Sequence, residues 1–183
     1  MKKLLKILGI LLCSILLIII VIITYVKIAL PDVGPAPELT VDKSPANVER
    51  GRYLANSVMS CMDCHSKRDV TEYSMPMVLS TRGQGGERFD QTMGFPGVFY
   101  SANITPDKET GIGSWTREFF IQHFAMYRDS AAAHRAVNPG ELQTMMPWTL
   151  YCNMTDSDLS NIYTYIQTIQ PIKHSVTKWK AGH

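Results

Sequence analysis

A run of five residues, Cys61-Met62-Asp63-Cys64-His65, constrains the fold of this 183-residue chain more than any other feature. Two cysteines three positions apart come to one side of a helical turn. Their sulfurs can then form thioethers to the two vinyl groups of a single porphyrin. The histidine that follows comes beneath the ring, where an imidazole nitrogen can reach iron. C-x-x-C-H is accordingly the attachment sequence of c-type haem. Covalent attachment also suits an exported protein, because the cofactor cannot diffuse away. The motif occurs once, so the expectation is one haem c, attached through Cys61 and Cys64, with His65 as an iron ligand.

Three plainer readings compete. A structural zinc site wants four protein ligands, and Cys152 is the one other thiol outside the apolar N-terminal run. Scattered histidines would have to complete such a set. A thioredoxin-like pair sits in a βαβ context, and no such strand pattern surrounds this segment. A disulfide suits an oxidising compartment but leaves His65 without a role. Cys13 reads as a small apolar side chain within its run, and Cys152 as a core cysteine.

Twenty consecutive residues, Ile7 to Val26, carry no charge. As a helix they reach about 30 Å, the thickness of a bilayer's hydrocarbon core. Tyr25 and Lys27 stand at the far end, where an interfacial ring and a snorkelling amine are tolerated. Lys2, Lys3 and Lys6 favour a cytoplasmic N-terminus, with the body on the opposite side. A cleaved secretory signal has an apolar region of about 7–15 residues and a small-x-small cleavage site. This run is longer, and Lys27-Ile28-Ala29 is a poor site; Leu12 before Cys13 is equally poor for a lipoprotein. The expectation is a single uncleaved N-terminal transmembrane helix with a periplasmic or otherwise extracytoplasmic body. The body's 14 basic and 16 acidic residues, those beyond position 31, leave a net charge of −2. That lacks the basic stripe of a nucleic-acid binder, so no nucleic-acid partner is expected. Residues 31–46 hold four prolines and read as a semi-rigid spacer.

Helix signals flank the motif. Ser44 can cap a helix with Pro45 at its first position, running through Val48, Tyr53 and Leu54 towards Cys61. Gly51 on that helix would permit a close helix crossing. Thr155 and Asp158 form a variant of the capping box. Leu159, Ile162, Tyr163, Ile166 and Ile169 follow at helical intervals, and Pro171 ends the run. Asp156 and Asp158 read as acids suited to the helix dipole. A further helix fits residues 116–128, with Thr116 as cap and Phe119, Phe120, Phe124 and Tyr127 on an aromatic face. Between Thr81 and Gly113, seven glycines, Pro96 and Pro106 interrupt any period. This stretch predicts loop with at most short strands, and a loop of that length calls for a purpose, which wrapping a cofactor would supply.

The second axial ligand has several candidates among ten methionines and five histidines. Met146 stands out because Pro147 follows it, restricting the backbone that would hold its sulfur. Met145, Met126 and Met154 are weaker, and His123, His134 or His174 would give a bis-histidine site. No paired acids of defined spacing, nucleophile motif or metalloprotease helix points to an enzyme.

The order helix, C-x-x-C-H, loop, helix, Met-Pro, final helix resembles a class I cytochrome c. The phrases Gly51-Arg52-Tyr53-Leu54-Ala55, Asn103-Ile104-Thr105-Pro106-Asp107, Thr110-Gly111-Ile112-Gly113-Ser114-Trp115-Thr116 and Met146-Pro147-Trp148 narrow the likeness. So do Asp158-Leu159 and Tyr163-Thr164-Tyr165-Ile166. Together they resemble the cytochrome c domains of membrane-bound bacterial dehydrogenase cytochrome subunits. The resemblance implies an all-α fold whose first and last helices cross around one haem. It also implies His65 as proximal and Met146 as distal ligand, with Asn103, Ile104, Pro106 and Trp115 near the haem edge. The domain scheme becomes an anchor at 1–30, a linker at 31–46, a cytochrome c domain at 47–172 and a tail at 173–183. Such subunits typically carry three haem domains and a C-terminal anchor, whereas this chain has one motif and an N-terminal apolar run. The expected function is non-enzymatic electron transfer among redox partners: a dehydrogenase, a quinol-oxidising complex, an oxidase or another cytochrome. The alternatives are a haem enzyme or gas sensor with a labile distal ligand, and a haem-free Cys/His redox or metal module.

Overall fold

In a computed structural model, residues 2–29, 43–95, 97–138, 141, 143–177 and 179–181 are described. The chain divides into two units, residues 1–40 and 41–183. Among the described residues, the first holds one helix, α1 (Lys2–Ala29). Its stretch Lys2–Tyr25 is long and apolar enough to cross a membrane, and its leucines and isoleucines are exposed along its length. A signal sequence passes the same length and composition test. Most of the proline-rich stretch expected as a spacer, residues 30–42, lies outside the described residues.

The second unit is mostly helical among its regular elements. α2 (Pro45–Tyr53) opens it, with Pro45 in its first turn and Ser44 at the N-cap position. The Val48 N–H donates to the Ser44 carbonyl at 3.1 Å, closing that first turn. α2 passes directly into a π-helical turn, Leu54–Val58. A single turn, α3 (Cys61–Cys64), carries the motif. Then come α4 (Arg117–Ala125), extended by a 3₁₀ turn to Arg128, and α5 (Ser130–Ala133). α6 (Trp148–Tyr151) and α7 (Asp156–Ile166) complete the helices. Two of the three expected caps form through their side chains: Thr116 accepts from the Phe119 N–H and Thr155 from the Asp158 N–H, each at 3.1 Å, whereas Ser44 makes no side-chain cap hydrogen bond.

α2 packs on α7, and glycine is what lets them meet. A Cβ on Gly51 would stand 1.9 Å from the Asn161 carbonyl oxygen. Arg50 of α2 pairs with Asp158 of α7 at 3.0 Å, and Arg128 with Asp156 at 2.8 Å. The two acids that the sequence assigns to the helix dipole thus also tie α7 to its neighbours. Leu159, Ile162, Tyr163 and Ile166 of α7 join Leu54, Ala55, Met62, Ile112, Phe120 and Phe124 in one buried core. Burial of each leucine, isoleucine, phenylalanine and methionine among them stabilises the unit by about 1.5–3 kcal/mol. Met62, one of the two residues between the cysteines, is almost wholly inside this core.

A small antiparallel sheet adds to the all-α expectation. β1 (Arg88–Phe89) pairs with β2 (Gly97–Tyr100), and β2 pairs with β3 (Trp179–Ala181). The register sets Phe89 opposite Phe99, and Phe99 opposite Trp179. The loop between Thr81 and Gly113 therefore holds two of the short strands foreseen for it. The third comes from the segment expected as a tail.

Candidate haem-binding site

The motif sits where four segments converge. Ser60 takes a left-handed conformation, φ 52°, ψ 28°, and turns the chain from the π-helical turn into α3. Such a conformation costs a non-glycine residue about 1–2 kcal/mol, a strain of the kind that gathers at functional sites. Cys61 is partly buried, Cys64 exposed, and neither is disulfide-bonded. Burial pushes the Cys61 thiol up to about 12. Burial also raises Cys64, with Asp63 adding to the shift. Both sulfurs therefore stand as neutral thiols one helical turn apart.

His65 is held by a backbone acceptor. Its Nδ1 lies 2.7 Å from the Ala102 carbonyl oxygen. A carbonyl only accepts, so Nδ1 carries the proton and Nε2 keeps its lone pair, the arrangement that orients an imidazole for metal ligation. Burial lowers the His65 pKa, and the Ala102 bond opposes that shift. The neighbouring backbone is fixed from both sides. The Gly85 N–H donates to the His65 carbonyl at 2.8 Å, and the Gly83 N–H to Ser66 Oγ at 3.0 Å.

The segment 102–106 serves two ends. Ala102 receives His65, while Asn103, nearly fully buried, faces the chain's end. Asn103 Nδ2 donates to Thr110 Oγ1 at 3.0 Å and to the Ile172 carbonyl at 2.8 Å. Its Oδ1 accepts from the Thr105 N–H and hydroxyl at 2.9 and 2.8 Å. Ile104 packs against the core, and its N–H donates to the Gly83 carbonyl. The Pro106 carbonyl lies 2.2 Å from where a Cβ on Gly113 would stand, so glycine is needed there. Trp115 meets Phe119 edge-on at 4.8 Å and His123 at 5.1 Å, and its carbonyl accepts the Tyr163 hydroxyl at 2.7 Å.

Met146 is partly buried against the core, whereas Met145 is exposed. The Met146 N–H donates to Thr144 Oγ1, and its carbonyl accepts from the Trp148 N–H at 2.8 Å. α6, which follows at once, is bound to the end of the π-helical turn that precedes the motif: the Tyr151 hydroxyl donates to the Met59 carbonyl. Burial lifts that phenol to about 12, with Cys61 and Cys64 close enough to add to the effect. Trp148 stacks on Tyr127 at 4.5 Å and contacts His123 at 5.4 Å. The 145–148 turn is thus linked through Tyr151 to the chain just before the motif, a tether with no signature in the sequence pattern.

The donor set suits c-type haem: two unpaired thiols at helical spacing, an imidazole whose Nδ1 is held by a backbone carbonyl, and a thioether partly buried against the same core. Among the described residues, no three His, Cys, Asp or Glu side chains gather as a metal-holding cluster, as a zinc module would require. Three buried polar atoms, on Arg82, Tyr165 and Gln167, stand without a hydrogen-bond partner among the described residues. Arg82 Nε is shielded from solvent and makes no hydrogen bond among the described residues.

No family model matches the chain. The gluconate 2-dehydrogenase cytochrome c subunit of Pantoea cypripedii is 33% identical over 121 residues, 66% of this chain and 22% of that protein. The fructose dehydrogenase cytochrome subunit of Gluconobacter japonicus is 32% identical over 127 residues, 69% of this chain and 22% of that protein. This chain carries a cytochrome c domain resembling those of dehydrogenase cytochrome subunits. The alcohol dehydrogenase (quinone) cytochrome c subunit of Gluconacetobacter polyoxogenes extends the match to 152 residues at 30% identity, 80% of this chain and 28% of that protein. The cytochrome c domain thus spans about a quarter of these relatives' length.

Proposed function

We propose that this chain is a membrane-anchored cytochrome with a single haem c. In this reading it carries single electrons between dehydrogenase or respiratory-chain partners on the outer face of the cytoplasmic membrane. The observation that carries the reading is the geometry of His65: its Nδ1 is committed to Ala102 at 2.7 Å, immediately after two free cysteines one turn apart. Cys61 and Cys64 would hold the cofactor covalently, His65 Nε2 would bind iron from one side, and Met146 sulfur from the other. The haem, when bound, supplies a one-electron ferrous–ferric couple whose potential a His/Met ligand pair raises. With both axial positions filled by protein, no position is left for dioxygen or peroxide, which favours a carrier over an enzyme.

The close approach of α2 and α7 at Gly51 supports the crossed first and last helices of a class I fold. α1 supports the anchor, with Lys2, Lys3 and Lys6 on the cytoplasmic side. Relatives named as cytochrome subunits of gluconate, fructose and alcohol dehydrogenases support a redox partner of that kind. A tether would raise the effective concentration of the domain at such a complex.

The reading is tested by expressing the full chain with haem-attachment machinery and separating it under denaturing conditions. Haem stain should remain with the chain and vanish in Cys61→Ala/Cys64→Ala. A denatured chain without pigment overturns the reading. Met146→Ala should lower the midpoint potential and alter the ferric spectrum; a variant unchanged in both overturns the distal assignment alone.

A further inference from the structure

We infer that His174 is a positioning residue that fixes the hydrogen bond between His65 and the Ala102 carbonyl, and through it the potential of the bound haem. The inference rests on the haem reading above. His174 lies beyond the end of α7, three residues after Pro171. The sequence singles it out only as a candidate axial ligand, whereas the fold gives three of its polar groups protein partners. Its N–H donates to Thr110 Oγ1 at 3.0 Å, and its carbonyl accepts from Asn103 Nδ2 at 3.3 Å. Its ring Nδ1 lies 2.9 Å from the Gln84 carbonyl oxygen. A carbonyl only accepts, so this Nδ1 carries a proton and donates. The ring also lies against Gly86, where a Cβ would stand 2.9 Å from the imidazole Cε1.

The backbone that His174 grips is the one that backs His65. Gln84 is buried, and its N–H donates to the Thr81 carbonyl at 3.0 Å. The Gly85 N–H donates to the His65 carbonyl and the Gly86 N–H to the Ser101 carbonyl, each at 2.8 Å. A Cβ on Gly85 would stand 2.4 Å from both the carbon and the oxygen of the Ala102 carbonyl. The Gly85 backbone is therefore pressed against the same carbonyl that receives the His65 ring at 2.7 Å. Residues 84–86 thus hold Ala102 in place, and His174 holds residues 84–86 from the far side. Hydrogen bonds weaken steeply as they lose alignment, so a loosened Ala102 carbonyl accepts less well from His65 Nδ1. That bond makes the imidazole a more basic ligand, and a more basic ligand favours ferric iron. Freeing the 84–86 backbone should therefore raise the potential.

The test uses the full haem-loaded chain with His174→Phe and His174→Asn. Phenylalanine fills the space beside Gly86 but donates nothing. Asparagine places its amide nitrogen where the histidine Nδ1 stands and can still donate to Gln84. The readouts are the midpoint potential at fixed pH and the solvent exchange of the His65 ring proton, followed among the hyperfine-shifted NMR signals of the ferric form. His174→Phe should raise the potential and speed the exchange, and His174→Asn should return both towards wild type. Wild-type values of both in His174→Phe overturn the inference and leave the haem reading intact, even where thermal stability falls. Equal changes in the two variants also overturn it, because the donor would then not be what matters. A wild-type chain that acquires no covalent haem overturns both readings. If His174→Phe does not fold, His174→Ala is read in its place by the same two measures.

Discussion

At the scale of single residues, the site is organised by short polar side chains that spend each atom twice. Thr110 Oγ1 donates to Asp107 Oδ1 at 2.7 Å while accepting from Asn103 Nδ2 and the His174 N–H, each at 3.0 Å. One hydroxyl therefore joins a surface turn, the buried amide of segment 102–106 and the chain's end. The Thr110 hydroxyl and N–H, with a smaller part from the Glu109 N–H, hold Asp107 below the ordinary 3.8 of an aspartate. Because the folded value is the lower one, Asp107 contributes stability that is fully present above about pH 4. That contribution fades as the pH falls through the depressed value. Asp69 and Asp90 repeat the device with Thr71 and Thr92 and are lowered for the same reason. Asp107→Asn should flatten part of the acid limb of stability. Urea midpoints of wild type and variant should differ at pH 7 and converge towards pH 2.5. A gap that stays constant across that range would show that Asp107 does not titrate with folding.

At the scale of elements, the most consequential contact is α2 on α7, and it turns on one missing methyl group. Gly51→Ala would drive a Cβ into the Asn161 carbonyl, with Tyr165 Cβ also within 2.9 Å. Backbone atoms cannot rotate aside, so the helices must separate and strip contacts from Leu54, Leu159 and Ile162. Overpacking of this kind costs about 1–3 kcal/mol, and the backbone clash puts this case at the upper end. Chemical denaturation of the haem-loaded chain should register the loss; a midpoint within error of wild type would refute the close approach.

This contact also marks what a sequence discloses. α4 and α7 were legible because a cap and a 3.6-residue period lie within a dozen consecutive residues: Thr116 before Phe119, and Thr155 before Leu159. The glycine at 51 hinted at an approach but not at its partner. The π-helical turn 54–58 was not legible, since it lies within the same apolar stretch that continues α2. The pairing of β2 with β3 was hidden for another reason. Gly97 opposes Ala181 across more than eighty residues, and nothing local in Trp179 announces a strand. At the site, the spacing of Cys61, Cys64 and His65 is chemistry written in the sequence. The acceptor for His65 is a backbone carbonyl, which every residue has, so its position at Ala102 emerges only from the fold. Asn103 shows the same limit, since its amide is committed to Thr105, Thr110 and the Ile172 carbonyl.

At the scale of the whole molecule, the compartment of the second unit turns on the fate of α1. Its apolar residues from Leu4 to Ile23 are exposed among the described residues. Burying them in lipid would remove a large apolar surface from water at about 25 cal/mol per Å². Three lysines at its start oppose full passage of that end across a charged membrane. Retained, such a helix binds the bilayer in a way that salt and alkali do not reverse. Cleaved, it would release the second unit, whose 14 basic and 14 acidic residues balance and whose apolar core is already closed. The two fates differ in a single fractionation. In cells expressing the full chain, the haem-stained band should stay with the membrane pellet through a high-salt and alkaline carbonate wash and move to the supernatant only with detergent. Its intact mass should retain the N-terminal residues. A haem-stained band in the soluble periplasmic fraction, lacking roughly thirty N-terminal residues as a signal peptide would remove, would overturn the anchor. It would leave the proposed roles of Cys61, Cys64 and His65 standing, because none of these residues lies in the removed segment.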